Sequence, residues 1–218
     1  MRVVILGTGT DVGKSYVTAR LAQGLRAHAS VLALKPVESG VADGASGDAG
    51  AIAEAAGHEA RLSRWRFSRP ISPHLGAREQ GVALDVAEVA AWVAEEERRA
   101  APKVLLVETA GGAFSPLGAG VTNVDLARAL EPALWLLVAP DSLGVLHDVT
   151  ATLRALPRAP DALLLSGARA PDHSTGSNAA ELVRLGISEV LEVLPKGAAS
   201  ALATVEWLLR RPTFKSGI

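Results

Sequence analysis

The sequence predicts a three-layer α/β domain, with a mostly parallel sheet covered by helices on both faces. Three observations carry that expectation. Short apolar runs alternate with longer Ala/Leu/Arg/Glu stretches along all 218 residues, the pattern of strand–helix units joined by right-handed crossovers. The runs are continuously apolar, as strands buried on both faces are, instead of alternating apolar with polar. The composition, 49% hydrophobic and 21% charged with a net charge of −1, supplies a core and argues against disorder.

In chain order, the first run covers residues 3–6 and leads through glycines into a helical pattern at 14–27, where Gly24 reads as a packing concession. The second run, Val31–Leu34, is short. A Gly/Ser/Asp-rich loop at 39–50 then runs into a helical pattern at 48–56 that Asp48 could cap. The helical pattern at 85–99 ends in Glu95-Glu96-Glu97-Arg98-Arg99, acids before bases, as the helix dipole prefers. Runs follow at 104–107, 134–138, 162–165 and 190–194. Between and after them come helical patterns at 144–156, 177–185 and 198–210, with a loop at 170–176. With no repeat or low-complexity linker, residues 1–218 read as one domain. In such sheets ligands bind outside the carboxyl ends of the strands.

With 22 Lys+Arg against 23 Asp+Glu, the chain offers no electrostatic footprint for nucleic acid or an anionic membrane. The absence of cysteine excludes disulfides, thiolate metal sites, iron–sulfur clusters and cysteine nucleophiles. No segment reaches the ~18 apolar residues of a membrane span, and the apolar run at the start is too short for a secretory segment. A cytoplasmic protein is the expectation. Only five of the basic residues are lysine (Lys14, Lys35, Lys103, Lys196 and Lys215), which makes each of them worth locating.

Directly after the first strand comes Gly7-Thr8-Gly9-Thr10-Asp11-Val12-Gly13-Lys14-Ser15, followed by Tyr16 and the helical pattern. This is a Walker A loop in its required strand–turn–helix context, so the domain reads as P-loop NTPase-like. Its glycines let successive N–H groups turn toward phosphate oxygens. Lys14 supplies a charge for the terminal phosphates, and the Ser15 hydroxyl can ligate Mg²⁺. The first glycine is one residue out of the common register, at Gly7 or Gly9.

After the second run, Lys35-Pro36-Val37-Glu38-Ser39-Gly40 sets Lys35 at the carboxyl end of a strand, where it can face the same γ-phosphate as Lys14. The run at 104–107 ends in Glu108, followed by Thr109-Ala110-Gly111-Gly112. An acid at that place is where a Walker B Mg²⁺ ligand sits. Ser15, Asp48 and Glu108 would make a sufficient protein set for Mg²⁺, which keeps water and phosphate as its other ligands.

On these segments, together with Ser72-Pro73-His74, Phe114-Ser115-Pro116-Leu117 and Ser142-Leu143-Gly144, the chain resembles the dethiobiotin synthetases over nearly its whole length. The lysine–proline and Glu-x-Ala-Gly-Gly segments are the family-specific parts. The resemblance implies ATP-dependent carboxylation and ring closure of a diamine, 7,8-diaminononanoate, with CO₂. It assigns Lys14 and Lys35 to catalysis, and Mg²⁺ to Ser15, Asp48 and Glu108. Asp11, Val12, Gly13, Lys14, Ser15, Tyr16, Asp48, Glu108, Thr109, Ala110 and Gly111 fall to the nucleotide, with Pro195, Lys196 and Gly197 at the base. Thr10 and Ser39 fall to the carbamate. Leu143, Gly144 and His147 fall to the distal carboxylate of a substrate shared across a homodimer.

Three positions depart from the family pattern. Thr109 replaces a glycine and adds a side chain expected near the phosphates. His147-Asp148 stands where Asn-His is frequent, and Ser166-Gly167-Ala168 stands where an adenine-reading asparagine is common, leaving base preference open. His74 is open between ordering a loop near the substrate and a structural role, and the four tryptophans read as packing. Alternatives are a nucleotide-switch ATPase, which would carry a second lysine where Gly9 stands, and a catalytically altered nucleotide-binding module. The tail 210–218, with Pro212 and Gly217, offers no amphipathic basic helix for a membrane surface.

Overall fold

The computed structural model describes residues 1–215, so Gly217 of the tail lies outside the described residues. The six strands that form the central sheet are β1 (Arg2–Gly7), β2 (Val31–Leu34), β5 (Val104–Glu108), β8 (Leu134–Asp141), β9 (Ala162–Gly167) and β10 (Glu192–Leu194). All pair in parallel, in the order β10-β9-β8-β1-β5-β2. Their continuous apolar runs reflect two cores, one per face. Val4, Leu6, Leu105, Val107, Trp135 and Leu137 point to one, while Val3, Ile5, Leu106, Leu136 and Val138 point to the other. Period-two alternation is present, but both faces are dry, so it leaves no polar signature.

Helices α1 (Lys14–Leu25), α2 (Gly47–Ala56) and α8 (Leu202–Leu209) cover the second core, and the short α9 (Pro212–Lys215) follows, opened by Pro212. Gly24 has a packing reason: a Cβ there would stand 2.8 Å from Val205 on α8. The first core is covered by α3 (Pro73–Gln80), α4 (Val86–Ala100), α5 (Asn123–Ala129), α6 (Val145–Ala155) and α7 (Asn178–Arg184). All six expected helical patterns are present with shifted ends. The last is the most shortened, beginning at Leu202 instead of residue 198, because residues 195–198 form a turn against Tyr16. The expected strand at 190–194 shrinks to three residues at the sheet edge.

Two small ribbons and three helices, α3, α5 and the short α9, were not expected. Parallel β3 (Val37–Ser39) and β4 (Trp65–Phe67) form one ribbon, and antiparallel β6 (Pro116–Gly118) and β7 (Val121–Thr122) the other. Helix α3 starts at Pro73, with the Ser72 hydroxyl 2.9 Å from Nδ1 of His74, so His74 orders the helix start. Helix α5 opens with a capping box between Thr122 and Asp125. Trp65 and Trp135 are buried in the core, as expected of packing residues. Among the described residues no helix is long and apolar enough to cross a membrane.

The register builds the site. Leu34 pairs with Val107, which sets Lys35 level with Glu108, and Ile5 pairs with Glu108, which brings the loop after β1 over the same strand end.

Candidate active site

At the carboxyl ends of β1, β2 and β5 lies a cleft of about 510 Å³. The loop after β1 forms its floor. Asp11 and Gly13 adopt left-handed backbone conformations, with φ of 58° and 96°, curling the chain under the N-terminus of α1. A Cβ at residue 13 would also stand 2.2 Å from Oγ of Ser166, so glycine is required there twice over. Lys14 reaches back along the loop, its Nζ donating to the Gly9 carbonyl at 3.2 Å. Val12 turns the other way into the core, leaving only its backbone for a ligand.

Across the cleft, the Lys35 ammonium sits among three oxygens: Oδ2 of Asp48 at 2.5 Å, Oε1 of Glu108 at 2.9 Å and Oγ of Ser15 at 3.3 Å. Ser15 Oγ is itself 2.8 Å from Asp48 and 2.6 Å from Glu108. Burial opposes the charge on Lys35, but Glu108 and Asp48 outweigh it and raise its pKa well above the usual lysine value. Asp48 is shifted oppositely: burial alone would raise its pKa, and Lys35 with the hydroxyl of Ser15 lowers it. Among the described residues Lys14 has no carboxylate in contact. Burial is its largest influence and, with the charge of Lys35 added, brings its pKa down to about 8 against the pull of Glu108. Lys14 therefore stands as an incompletely compensated cation facing the cleft, the electrostatic state a polyphosphate would relieve.

The fit of this arrangement to a divalent cation can be judged from its donors. Ser15, Asp48 and Glu108 already surround a cation, the ammonium of Lys35, and the second carboxylate oxygen of Glu108 is buried without a hydrogen-bond partner. One hydroxyl and two carboxylates make an all-oxygen set of the kind a hard cation takes, so the residues fit Mg²⁺.

Thr10, Asp11, Gly13, Lys14, Ser15, Tyr16, Lys35, Ser39, Asp48, Glu108, Ala110, Gly111 and Lys196 all line this one cleft. The Ser39 hydroxyl is buried there without a partner. At the end toward β9, Tyr16 donates to the Pro195 carbonyl at 2.6 Å and accepts from the Ala198 N–H at 3.0 Å, tying the 195–198 turn to α1. Lys196 lies over the Tyr16 ring and 3.3 Å from Ser166 Oγ. Pro195 and Gly197 support this turn from outside the cleft.

One expectation is corrected. Thr109 does not add a side chain toward phosphate: it is buried, and its hydroxyl donates to the Ile5 carbonyl at 2.9 Å, pinning β5 to β1. Leu143, Gly144 and His147, which the resemblance assigns to a substrate shared across a homodimer, lie away from this chain's own cleft. Gly144 caps α6, Leu143 is 83% exposed, and His147 lies on the surface beside Asp148. Sequence reasoning missed Arg169, Pro70 and Ile71 on the cleft wall because they come from irregular segments. It also missed Asn123, whose buried amide donates to the Ala110 and Gly112 carbonyls at 2.5 and 2.8 Å and braces the loop after Glu108.

A family model described as an AAA domain matches residues 1–208. Curated relatives named ATP-dependent dethiobiotin synthetase BioD include one from Mycobacterium avium, 36% identical over 212 residues, covering 94% of this chain and 91% of the relative. Another, from Saccharopolyspora erythraea, is 35% identical over 203 residues, covering 91% and 88%. The chain belongs to the ATP-dependent dethiobiotin synthetase family. A further dethiobiotin synthetase, from Rhodococcus jostii, is 40% identical over 160 residues, 71% of this chain and 67% of the relative. Solved structures extend the likeness to the fold alone. The chloroplast FtsY of Physcomitrella patens superposes with a TM-score of 0.58 at 16% identity, covering 95% of this chain and 64% of that one. The fold is thus shared beyond the dethiobiotin synthetases.

Proposed function

We propose that this protein is an ATP-dependent dethiobiotin synthase, a cyclo-ligase that carboxylates 7,8-diaminononanoate and closes the ureido ring, releasing ADP and phosphate. Family membership supplies the reaction class, and one observation carries the reading at the level of residues. Lys14 and Lys35 line the same cleft over a Walker A loop, flanked by Ser15, Asp48 and Glu108. Residues 1–218 act as one domain in this reading.

One substrate amine adds to CO₂, forming an N–C bond and losing a proton to give a carbamate. A carbamate oxygen attacks the γ-phosphorus of ATP as the bond to the β,γ-bridging oxygen breaks and ADP leaves. The second amine attacks the carbonyl carbon of the resulting carbamic–phosphoric anhydride. Phosphate departs with the C–O bonding pair, a proton is lost and the ring is closed. The protein's task is positioning and charge neutralisation. Ser39 and Thr10 hydrogen-bond the carbamate, Lys35 holds its developing contact with phosphorus, and Lys14 neutralises the terminal phosphates with the loop N–H groups. Mg²⁺, held by Ser15, Asp48 and Glu108, supplies charge neutralisation at the phosphates when bound. Lys196 and the 195–198 turn flank the base.

The reading includes a homodimer in the cytoplasm. The exposed Leu143 at the start of α6 supports a partner covering this end, where Leu143, Gly144 and His147 would serve the substrate of the other subunit. No observation favours the switch-ATPase alternative. The purified protein with ATP, Mg²⁺, bicarbonate and the diamine should release phosphate only when the diamine is present, with dethiobiotin detected by mass spectrometry. Turnover independent of diamine, without dethiobiotin, would refute the reading.

A further inference from the structure

The carboxylate of Glu38 is 3% exposed and takes no part in the reaction described above. It sits on β3 one residue before Ser39. Successive residues of a strand face opposite ways, so Ser39 enters the cleft while Glu38 points behind it. There Oε1 accepts the backbone N–H of Asp48 at 2.6 Å. The first turn of α2 has unsatisfied N–H groups, and Ser46, the residue at the cap position, makes no side-chain cap bond. Glu38 supplies the cap from another element. Gly47 is shaped to admit it: a Cβ there would stand 2.6 and 2.7 Å from the two Glu38 oxygens. Arg66, paired with Glu38 across the β3–β4 ribbon, lies 3.6 Å from Oε2 and donates to the Ala45 carbonyl at 2.7 Å. The approach to α2 is thereby tied to the same carboxylate.

We propose that Glu38 is a positioning residue for the cation site, fixing the first turn of α2 so that the Asp48 carboxylate is preset beside Ser15 and Glu108. The inference rests on the reading above that Asp48 helps hold Mg²⁺. A positioning group of this kind typically changes metal affinity about 10–100-fold when lost. The P-loop is untouched by it, so nucleotide binding without the cation should be unaffected.

The test compares Glu38→Gln, which keeps an acceptor of nearly the same shape, with Glu38→Met, which fills the space but cannot accept. ATP binding is measured calorimetrically across a Mg²⁺ titration and in EDTA, with no diamine present. Failure of the ligase reading would therefore not register here. The Mg²⁺ concentration giving half-maximal enhancement of ATP affinity should rise at least about tenfold in the Met variant and stay within about twofold in the Gln variant. Affinity in EDTA should be equal in all three proteins. An unchanged Mg²⁺ requirement in a folded Met variant, or an equal loss in EDTA, would overturn the proposal. A measurement on the unaltered protein stands independently of whether the variants fold. The Asp48 amide should be protected from hydrogen exchange before any nucleotide or Mg²⁺ is added, and exchange at the rate of a free first-turn amide would equally overturn it.

Discussion

Replacing Lys35 with methionine removes the cation from the centre of three oxygens while leaving the aliphatic packing of the stem in place. Glu108, fully buried, would then lose its ion-pair partner, whereas Asp48, with its side chain 49% exposed, can turn to water. Removing one partner of a buried pair costs about 3–5 kcal/mol, mostly from the charge left behind. Because screening discounts the share of Asp48, the lower end, about 3 kcal/mol, is expected here. For a chain of this length that corresponds to a melting temperature roughly 6–12 °C lower. The vacated oxygens are those assigned to Mg²⁺, so the variant should regain stability from the metal alone. Saturation at a hundred times the dissociation constant returns about 2.7 kcal/mol. The unaltered protein should gain less, since its own ammonium competes for the same oxygens. Thermal melts of both proteins across a Mg²⁺ series, without nucleotide, provide the assay. An unchanged melting temperature in the variant, or equal Mg²⁺ shifts in the two proteins, would refute the claim that one site serves both cations.

Lys14 gives a pH signature. Its folded pKa of about 8 lies below the ordinary 10.5, so above pH 8 the unfolded chain holds a proton that the folded one releases. Without ligand this group's contribution to stability rises with pH between about 8 and 10.5. ATP should restore the charge, taking up roughly half a proton at pH 8, measurable by calorimetry in buffers of different ionisation enthalpy; no uptake would contradict its placement against phosphate. Gly13→Ala should weaken ATP binding at least about tenfold through backbone strain of order 1–3 kcal/mol and the clash with Ser166. Adding Ser166→Gly should recover part of that loss, and additive losses would remove the clash from the explanation. Thr109→Gly should cost about 1–2 kcal/mol of stability by breaking the hydrogen bond to Ile5 and leave ATP affinity unchanged in a binding titration; weaker binding would restore Thr109 to the phosphate site.

The sheet was legible in the sequence because every central strand is buried on both faces, which writes itself as an uninterrupted apolar run. The P-loop and the acid that ends β5 were legible because the chemistry demands those residue types beside a strand end. Elements held by a few local contacts were not legible: the two- and three-residue ribbon strands, and α5, whose capping box lies just after a loop. Within the site, position along the chain could place Lys35 near phosphate, but not within contact of both Asp48 and Glu108, since that depends on the Leu34–Val107 register. Thr109 shows the opposite error. Its place in the motif suggested a ligand contact, while its side chain, one residue past β5, turns onto the Ile5 carbonyl of β1.

In the proposed mechanism Lys14 and Lys35 converge on one phosphoryl group beside a cation held by Ser15, Asp48 and Glu108. A crystal structure with Mg²⁺, a non-hydrolysable ATP analogue and the diamine tests it most directly. Both ammonium nitrogens should lie in hydrogen-bonding range of the terminal phosphate or carbamate, with the metal on those three side chains. A structure in which Lys35 remains clamped between Asp48 and Glu108, with the metal bound elsewhere, would contradict it.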